Sequence, residues 1–249
     1  MSGKLVFDIG ANNGDDSEVY LKRGCKVVAV EANPELCTML RERFAPEVAS
    51  GNFVLVDRAI SRRSKVTLYV NSADHGWGTI HPSYAESGRK LRGTVIPVEV
   101  ETTTVIDLIR TYGVPDRMKV DIEGADILCL LDLYDGDLPA HLSIERPRSL
   151  ADQLLALTLL RRMGYARLAF VEQDVEGEQI HTTVGLFGDE IPPSAWKDST
   201  RMLATNLWLY GVRVLGAVLR RTPGLRAYAP RTRWFDIHAD LAPQTTVSA

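Results

Sequence analysis

Apolar positions fall into two alternating patterns along the chain. Short unbroken apolar runs read as buried strands, and longer stretches with apolar positions three and four apart read as helices. The runs predict strands at Lys4–Asp8, Lys26–Val30, Phe53–Asp57, Met118–Asp121 and His141–Glu145. The helical spacing predicts Asp15–Arg23, Pro34–Phe44, Val105–Tyr112, Ala125–Leu133 and Leu150–Met163. Pro34 falls at an early helical position, where its missing N–H costs nothing. Such alternation implies a mostly parallel sheet with helices on both faces, an α/β fold. Tyr165–Val171 and Gln179–Phe187 read as a late pair joined by an acidic turn, with the last strand antiparallel. Lys65–Val70 alternates like an edge strand, and Thr94–Glu101 is extended.

Two segments break the alternation. Residues 71–93 are long, polar and rich in Gly, Ser and His, which suits a lid or substrate loop. After Pro192-Pro193 comes an extra helix over about 194–221, then a tail rich in Pro and Arg. The expected organisation is a main domain over 1–191 and a helical extension with a basic tail over 192–249. That extension would pack on the same domain or on a dimer partner.

With 45% apolar and 24% charged residues, the chain can offset its ordering entropy by burial. Its net charge of −3 gives no basic field, so nucleic acid is not an expected partner. The charge is uneven. Seven arginines against two aspartates make residues 200–249 basic, and the body before them is acidic. The tail could meet a dimer partner, an anion or a membrane surface, or be a solvated face. Apolar run lengths give no expectation of stable membrane insertion. Cys25, Cys37 and Cys129 sit among apolar neighbours with no metal-ligand spacing. With no signal-peptide pattern at the start, a cytoplasmic location is expected.

The first strand–helix turn reads FDIGANNGDDS, Phe7 to Ser17. Ligands of such sheets bind beyond the carboxyl ends of the strands. Gly10 would let backbone approach a ligand, and the second strand ends in Glu31, suited to two ribose hydroxyls. The dinucleotide pattern G-x-G-x-x-G is absent, because Asn12 holds the place of its second glycine. Asp8, Asp15 and Asp16 would repel phosphate at the helix start. They suit S-adenosylmethionine, which carries a cationic sulfonium, an ammonium and a ribose but no phosphate.

FDIGANNGDDS, VVAVEANP (27–34), KVDIEGAD (119–126) and LSIE (142–145), in this order, resemble the FkbM-type S-adenosylmethionine-dependent O-methyltransferases. The string WFDIHA (234–239) resembles the ending of sugar-directed members. The resemblance implies a Rossmann-like seven-stranded methyltransferase sheet. It implies methyl transfer to a hydroxyl of a sugar, glycoside or oligosaccharide, with a polyketide or macrolide hydroxyl as the alternative. Carried over by position, Asp8, Gly10 and Asn12 would line the methionine part of the cofactor, Glu31 the ribose, and Asn33, Asp57 and Arg58 the adenosine.

If the strand of KVDIEGAD continued to Glu123, alternation would put Lys119, Asp121 and Glu123 on one side. Glu145 ends the neighbouring strand in a similar place. Asp121, Glu123 and Glu145 could hold Mg²⁺ through oxygen, supply a general base, or bind sugar hydroxyls. Alternatively, Lys119 neutralises Asp121 or Glu123 in a structural ion pair. His141 is a further catalytic candidate. His75, Trp77, Thr79 and His81, together with Lys119, are candidates for acceptor binding, an aromatic ring among polar groups suiting a sugar. A homodimer through 194–221 is expected. Three rivals are an NAD-dependent sugar oxidoreductase, which lacks its glycines here, a non-catalytic binding module on a cofactor-like fold, and a membrane-associated protein acting through Trp196–Arg221.

Overall fold

A computed structural model describes residues 3–72, 74–83, 85, 93–173, 197, 201–202, 204–207, 210 and 234–241. The chain divides into two compact units, residues 1–145 and 146–249.

The first unit is built on five parallel strands. They are β1 (Leu5–Ile9), β2 (Lys26–Glu31), β3 (Phe53–Asp57), β8 (Arg117–Val120) and β9 (His141–Glu145), in the spatial order β9-β8-β1-β2-β3. Their apolar side chains form the core. Val6, Phe7, Ile9, Val27, Val28, Met118, Leu142 and Ile144 are almost fully buried. That is why these runs read as continuous rather than alternating. Helices α1 (Asp15–Lys22), α2 (Pro34–Arg43) and α3 (Ala45–Ser50) pack on β1, β2 and β3. Helix α1 opens on Asp15, Asp16 and Glu18 and closes on Lys22, complementing its dipole. Helix α2 starts at Pro34 and is capped by Asn33, whose side chain accepts from the Glu35 N–H at 3.1 Å. Helix α4 (Val105–Tyr112) is capped by Thr104 and packs on α5 (Asp126–Leu133).

Between β3 and α4 the chain makes a second sheet. Strands β4 (Ala59–Ile60), β5 (Lys65–Asn71), β6 (Asp74–Thr79) and β7 (Val95–Thr103) lie in the order β4-β7-β5-β6. Its core is Ala59, Leu68, Val70 and Val100. This corrects two expectations. Lys65–Val70 is an inner strand, because β6 pairs with its second side. Residues 74–79, read as part of a loop, are that strand. Gly76 and Gly78 in DHGWGT carry too little apolar pattern to announce it.

In the second unit, α6 (Leu150–Arg162) is capped by Ser149 and packs on β10 (Tyr165–Gln173). Strand β10 pairs antiparallel with β11 (Trp234–Leu241). Residues 234–241, expected in a basic tail, are therefore a strand with Asp236, Ile237, His238 and Ala239 buried. The expected strand Gln179–Phe187 lies outside the described residues. Within the expected helix over 194–221, Lys197 bridges Leu168, and residues 201–202, 204–207 and 210 are helical. The rest lies outside the described residues. Five parallel strands in one unit and an antiparallel pair in the other make the predicted α/β character plain. Among the described residues, no helix is long and apolar enough to cross a membrane.

Candidate functional site

At the carboxyl ends of β1, β2, β8 and β9 the chain collects carboxylates. Asp8 is fully buried in β1, and its Oδ2 accepts the Ser17 hydroxyl at 2.6 Å. Its Oδ1 has no hydrogen bond, and the Lys119 ammonium stands 3.9 Å away. Burial pushes this carboxyl up to about 6, against the pull of Lys119.

Glu31 closes the first turn onto β2. Its Oε2 accepts the Asn12 N–H at 2.9 Å, and its Oε1 accepts those of Ala32 and Asn33, both at 2.8 Å. Burial raises its carboxyl above the usual range, and the three N–H groups work against that rise. Asn12 sits at φ 50°, in the left-handed region that asparagine tolerates better than most residues. Gly10, at φ 85°, has a further task beside the one its place suggests. A Cβ there would lie 1.9 Å from the backbone oxygen of Asp121. Its bare α-carbon makes room for the neighbouring site turn.

Asn33 is buried and spends its side-chain oxygen on the α2 cap. Asp57 ends β3 beside Glu31, but its carboxylate accepts Arg41 at 2.6 Å. Arg58 is drawn to Glu101 at 3.3 Å and to the Thr102 carbonyl. The structure thus brings Asp8, Gly10, Asn12, Glu31 and Asn33 together and turns Arg58 to the second sheet.

Lys119 in β8 is a hub. Its Nζ lies 2.9 Å from Asp16, 3.5 Å from Asp121 and 3.9 Å from Asp8. Burial opposes its charge, yet these three carboxylates hold it protonated well above the ordinary lysine value. The ammonium assigned to the acceptor is committed to this network, so the ion-pair alternative for Lys119 fits the geometry.

Strand β8 ends at Val120, so alternation does not carry Glu123 to the Asp121 side as expected. A tight turn does so instead, with Glu123 at φ 50° and Gly124 at φ 98°. Asp126 at the start of α5 holds this turn, accepting the Ile122 N–H at 3.4 Å and the Gly124 N–H at 3.1 Å. Burial, with Asp121 nearby, pushes the Asp126 carboxyl up to about 7. The result is the expected trio: one carboxylate oxygen from each of Asp121, Glu123 and Glu145 lies within 4.8 Å of the others. All three are half-buried, a spacing open to a hydroxyl, a proton or a hard cation.

His141 is a correction. It is the first residue of β9, paired with Arg117 at the amino end of β8. Glu145 is four residues further along an extended strand, about 13 Å away. The strand's direction, which the apolar pattern does not reveal, puts His141 at the wrong end of the sheet. Of the acceptor candidates, His81 is half-buried, and its N–H donates to the Thr79 hydroxyl at 3.1 Å. The backbone of His75 and Trp77 runs in β6, and their side chains lie outside the described residues.

Sequence reasoning missed Ser17 and Asp126 as partners in the site, and saw Asp16 as a carboxylate at the helix start without its ion pair to Lys119. Ser17 and Asp16 share one turn of α1, a signal that the FDIGANNGDDS string did contain. Nothing in the sequence marks Arg117, fully buried, which donates to the Tyr20 hydroxyl at 2.9 Å and to Ser143 at 3.4 Å.

Residues 8–165, from the buried Asp8 to the first residue of β10, match the Methyltransferase FkbM domain. The chain belongs to the FkbM methyltransferase family. It is 39% identical over 56 residues to a probable ribosomal RNA small subunit methyltransferase A of Methanospirillum hungatei, a stretch spanning 22% of each protein. This chain thus aligns with about a fifth of that relative's length. Among solved structures it is similar to a precorrin-6y C5,15-methyltransferase from Geobacter metallireducens, at 12% identity and a TM-score of 0.42, over 97% of this chain and 82% of that one. It is also similar to an S-adenosylmethionine-dependent O-methyltransferase from Thermotoga maritima, at 8% identity and a TM-score of 0.43, over 98% and 61%.

Proposed function

We propose that this FkbM-family protein transfers a methyl group from S-adenosylmethionine to a hydroxyl of a sugar, glycoside or oligosaccharide. The observation that carries the reading is the carboxylate lining of the first turn. Asp8 offers a buried oxygen with no hydrogen bond, and Glu31 stands at the end of the adjacent strand. An anionic ligand would be repelled there, and a cationic sulfonium with a ribose is suited to both groups. Bound there, the cofactor supplies a methyl already activated by its positive sulfur.

The chain's own contribution is orientation and proton removal. Asp8 and Glu31 hold the cofactor, and Lys119 keeps Asp16 and Asp121 fixed beside it. The trio of Asp121, Glu123 and Glu145 binds the acceptor hydroxyl and accepts its proton, which makes a poor nucleophile competent. A magnesium ion on the same three oxygens would serve that end by lowering the hydroxyl's pKa instead. The second sheet, with His81 following β6, flanks the acceptor, and a small neutral polyol suits such polar surroundings. We place the protein in the cytoplasm and its self-association, as a homodimer, on residues 194–221.

Calorimetric titration with S-adenosylhomocysteine, with NAD⁺ as control, tests the cofactor. Micromolar binding of S-adenosylhomocysteine alone is expected, and preferential binding of NAD⁺ overturns the reading. Turnover on a panel of free sugars and methyl glycosides, with and without chelator, then tests the acceptor. Activity that survives chelation removes the metal and leaves the trio as base and hydroxyl ligand.

A further inference from the structure

The Thr79 hydroxyl lies at the end of β6, almost wholly buried at 1% exposure, and donates to the Glu123 carbonyl at 2.8 Å. It also accepts the His81 N–H at 3.1 Å. A hydroxyl has one proton. Because His81 supplies a donor, the Thr79 proton must point at Glu123. The other end of the same peptide unit, the Gly124 N–H, is taken by Asp126 at 3.1 Å. One peptide plane is therefore gripped at both its oxygen and its nitrogen.

The turn on either side of that plane is strained in a way that makes the grip matter. Glu123 has φ 50° and Gly124 has φ 98°. Left-handed backbone at a non-glycine residue is held only where surrounding contacts over-determine it. If this turn opened, both hydrogen bonds would be lost and Glu123 would leave the line of Asp121 and Glu145. Those carboxylates meet within 4.8 Å only because this turn, rather than the strand, delivers Glu123.

We propose that Thr79 is a positioning residue for Glu123, a role distinct from contact with the acceptor. It fixes the Glu123–Gly124 peptide so that the Glu123 carboxylate stays in the trio. The inference rests on the methyl-transfer reading for its catalytic consequence, but the clamp itself does not. The second sheet thereby acquires a task in chemistry: it carries the hydroxyl that holds the catalytic turn.

Thr79→Val keeps the shape and removes the hydroxyl, Thr79→Ser keeps the hydroxyl, and Thr79→Ala serves if valine does not fold. Two readouts apply: amide hydrogen exchange at Gly124, and methyl transfer to the panel of free sugars and methyl glycosides. The expected result for Thr79→Val is exchange at Gly124 at least about ten-fold faster and kcat about ten- to a hundred-fold lower. KM for the sugar and affinity for S-adenosylhomocysteine should move less than about two-fold, with serine restoring the first two. Unchanged Gly124 exchange overturns the clamp. Faster exchange with unchanged kcat overturns the positioning role, and so does a kcat loss matched by lost cofactor affinity. Failure of the wild-type protein to bind S-adenosylhomocysteine would instead sink the methyl-transfer reading, and Gly124 exchange would still decide whether the clamp exists.

Discussion

Glu31 reaches from the end of β2 to the backbone N–H of Asn12 at 2.9 Å, tying the two cofactor-side turns together through one carboxylate. The group assigned to the ribose is thus also a backbone staple. Glu31→Ala would leave three N–H groups without their acceptor and cost stability as well as affinity. Glu31→Gln is the cleaner probe. Its amide keeps one acceptor but turns an NH2 toward at least the Asn12 N–H, so it is expected to weaken S-adenosylhomocysteine about ten-fold in calorimetry and to lower the midpoint of urea unfolding less than Glu31→Ala does. Equal affinity in the two proteins would take Glu31 off the ribose.

Lys119→Met should be far more damaging than its half-hidden position suggests. It strips Asp16, Asp121 and Asp8 of a shared cation, and a broken buried ion pair costs about 3–5 kcal/mol. Urea unfolding at neutral pH measures that loss. A change under about 1 kcal/mol would mean that solvent already screens the hub.

Gly10→Ala is expected to destabilise the protein by about 3 kcal/mol or more. It combines left-handed strain with a Cβ driven into the Asp121 carbonyl. Cofactor affinity and catalysis should fall together, because the intrusion displaces the turn that carries the trio. A stable variant with only cofactor binding lost would return Gly10 to the simpler role of admitting a ligand.

Asp126 makes a pH prediction with a definite sign. Its carboxyl is raised from 3.8 to about 7 in the folded chain, so folding favours the protonated form. The stabilisation is complete below about pH 4 and is lost as pH rises through about 7. A shift of about three units corresponds to an upper figure of about 4 kcal/mol. Asp126→Asn cannot titrate. Urea unfolding from pH 4 to pH 8 should show a flatter profile for the variant than for the parent, and parallel profiles would contradict the assigned shift.

The strands and helices of the first unit were legible because buried parallel strands are apolar without interruption and their caps are local. Asn33 and Thr104 announce their helices within three residues. The cofactor-side cluster was legible because one strand–turn–helix string holds most of it. What stayed hidden depends on partners remote in sequence. Strand β6 has two glycines, and its pairing is set by β5 rather than by its own pattern. Glu123 joins Asp121 through a left-handed turn, where alternation gave the right neighbour for the wrong reason. His141 has the right residue type, but strand polarity sends it to the far end. The hydroxyl of Thr79 finds its acceptor 44 residues away, a distance no local pattern encodes.

Strand β11 has a consequence for how this chain is made. Its partner β10 ends at Gln173, and β11 begins at Trp234, about sixty residues later. A ribosome would release β10 well before the strand that covers its side. For that interval the side of β10 that β11 fills presents unpaired backbone, the profile of a transient aggregation site. Yield during expression is therefore tied to how quickly residues 234–241 emerge, and any shortening that reaches β11 would make that fleeting exposure permanent.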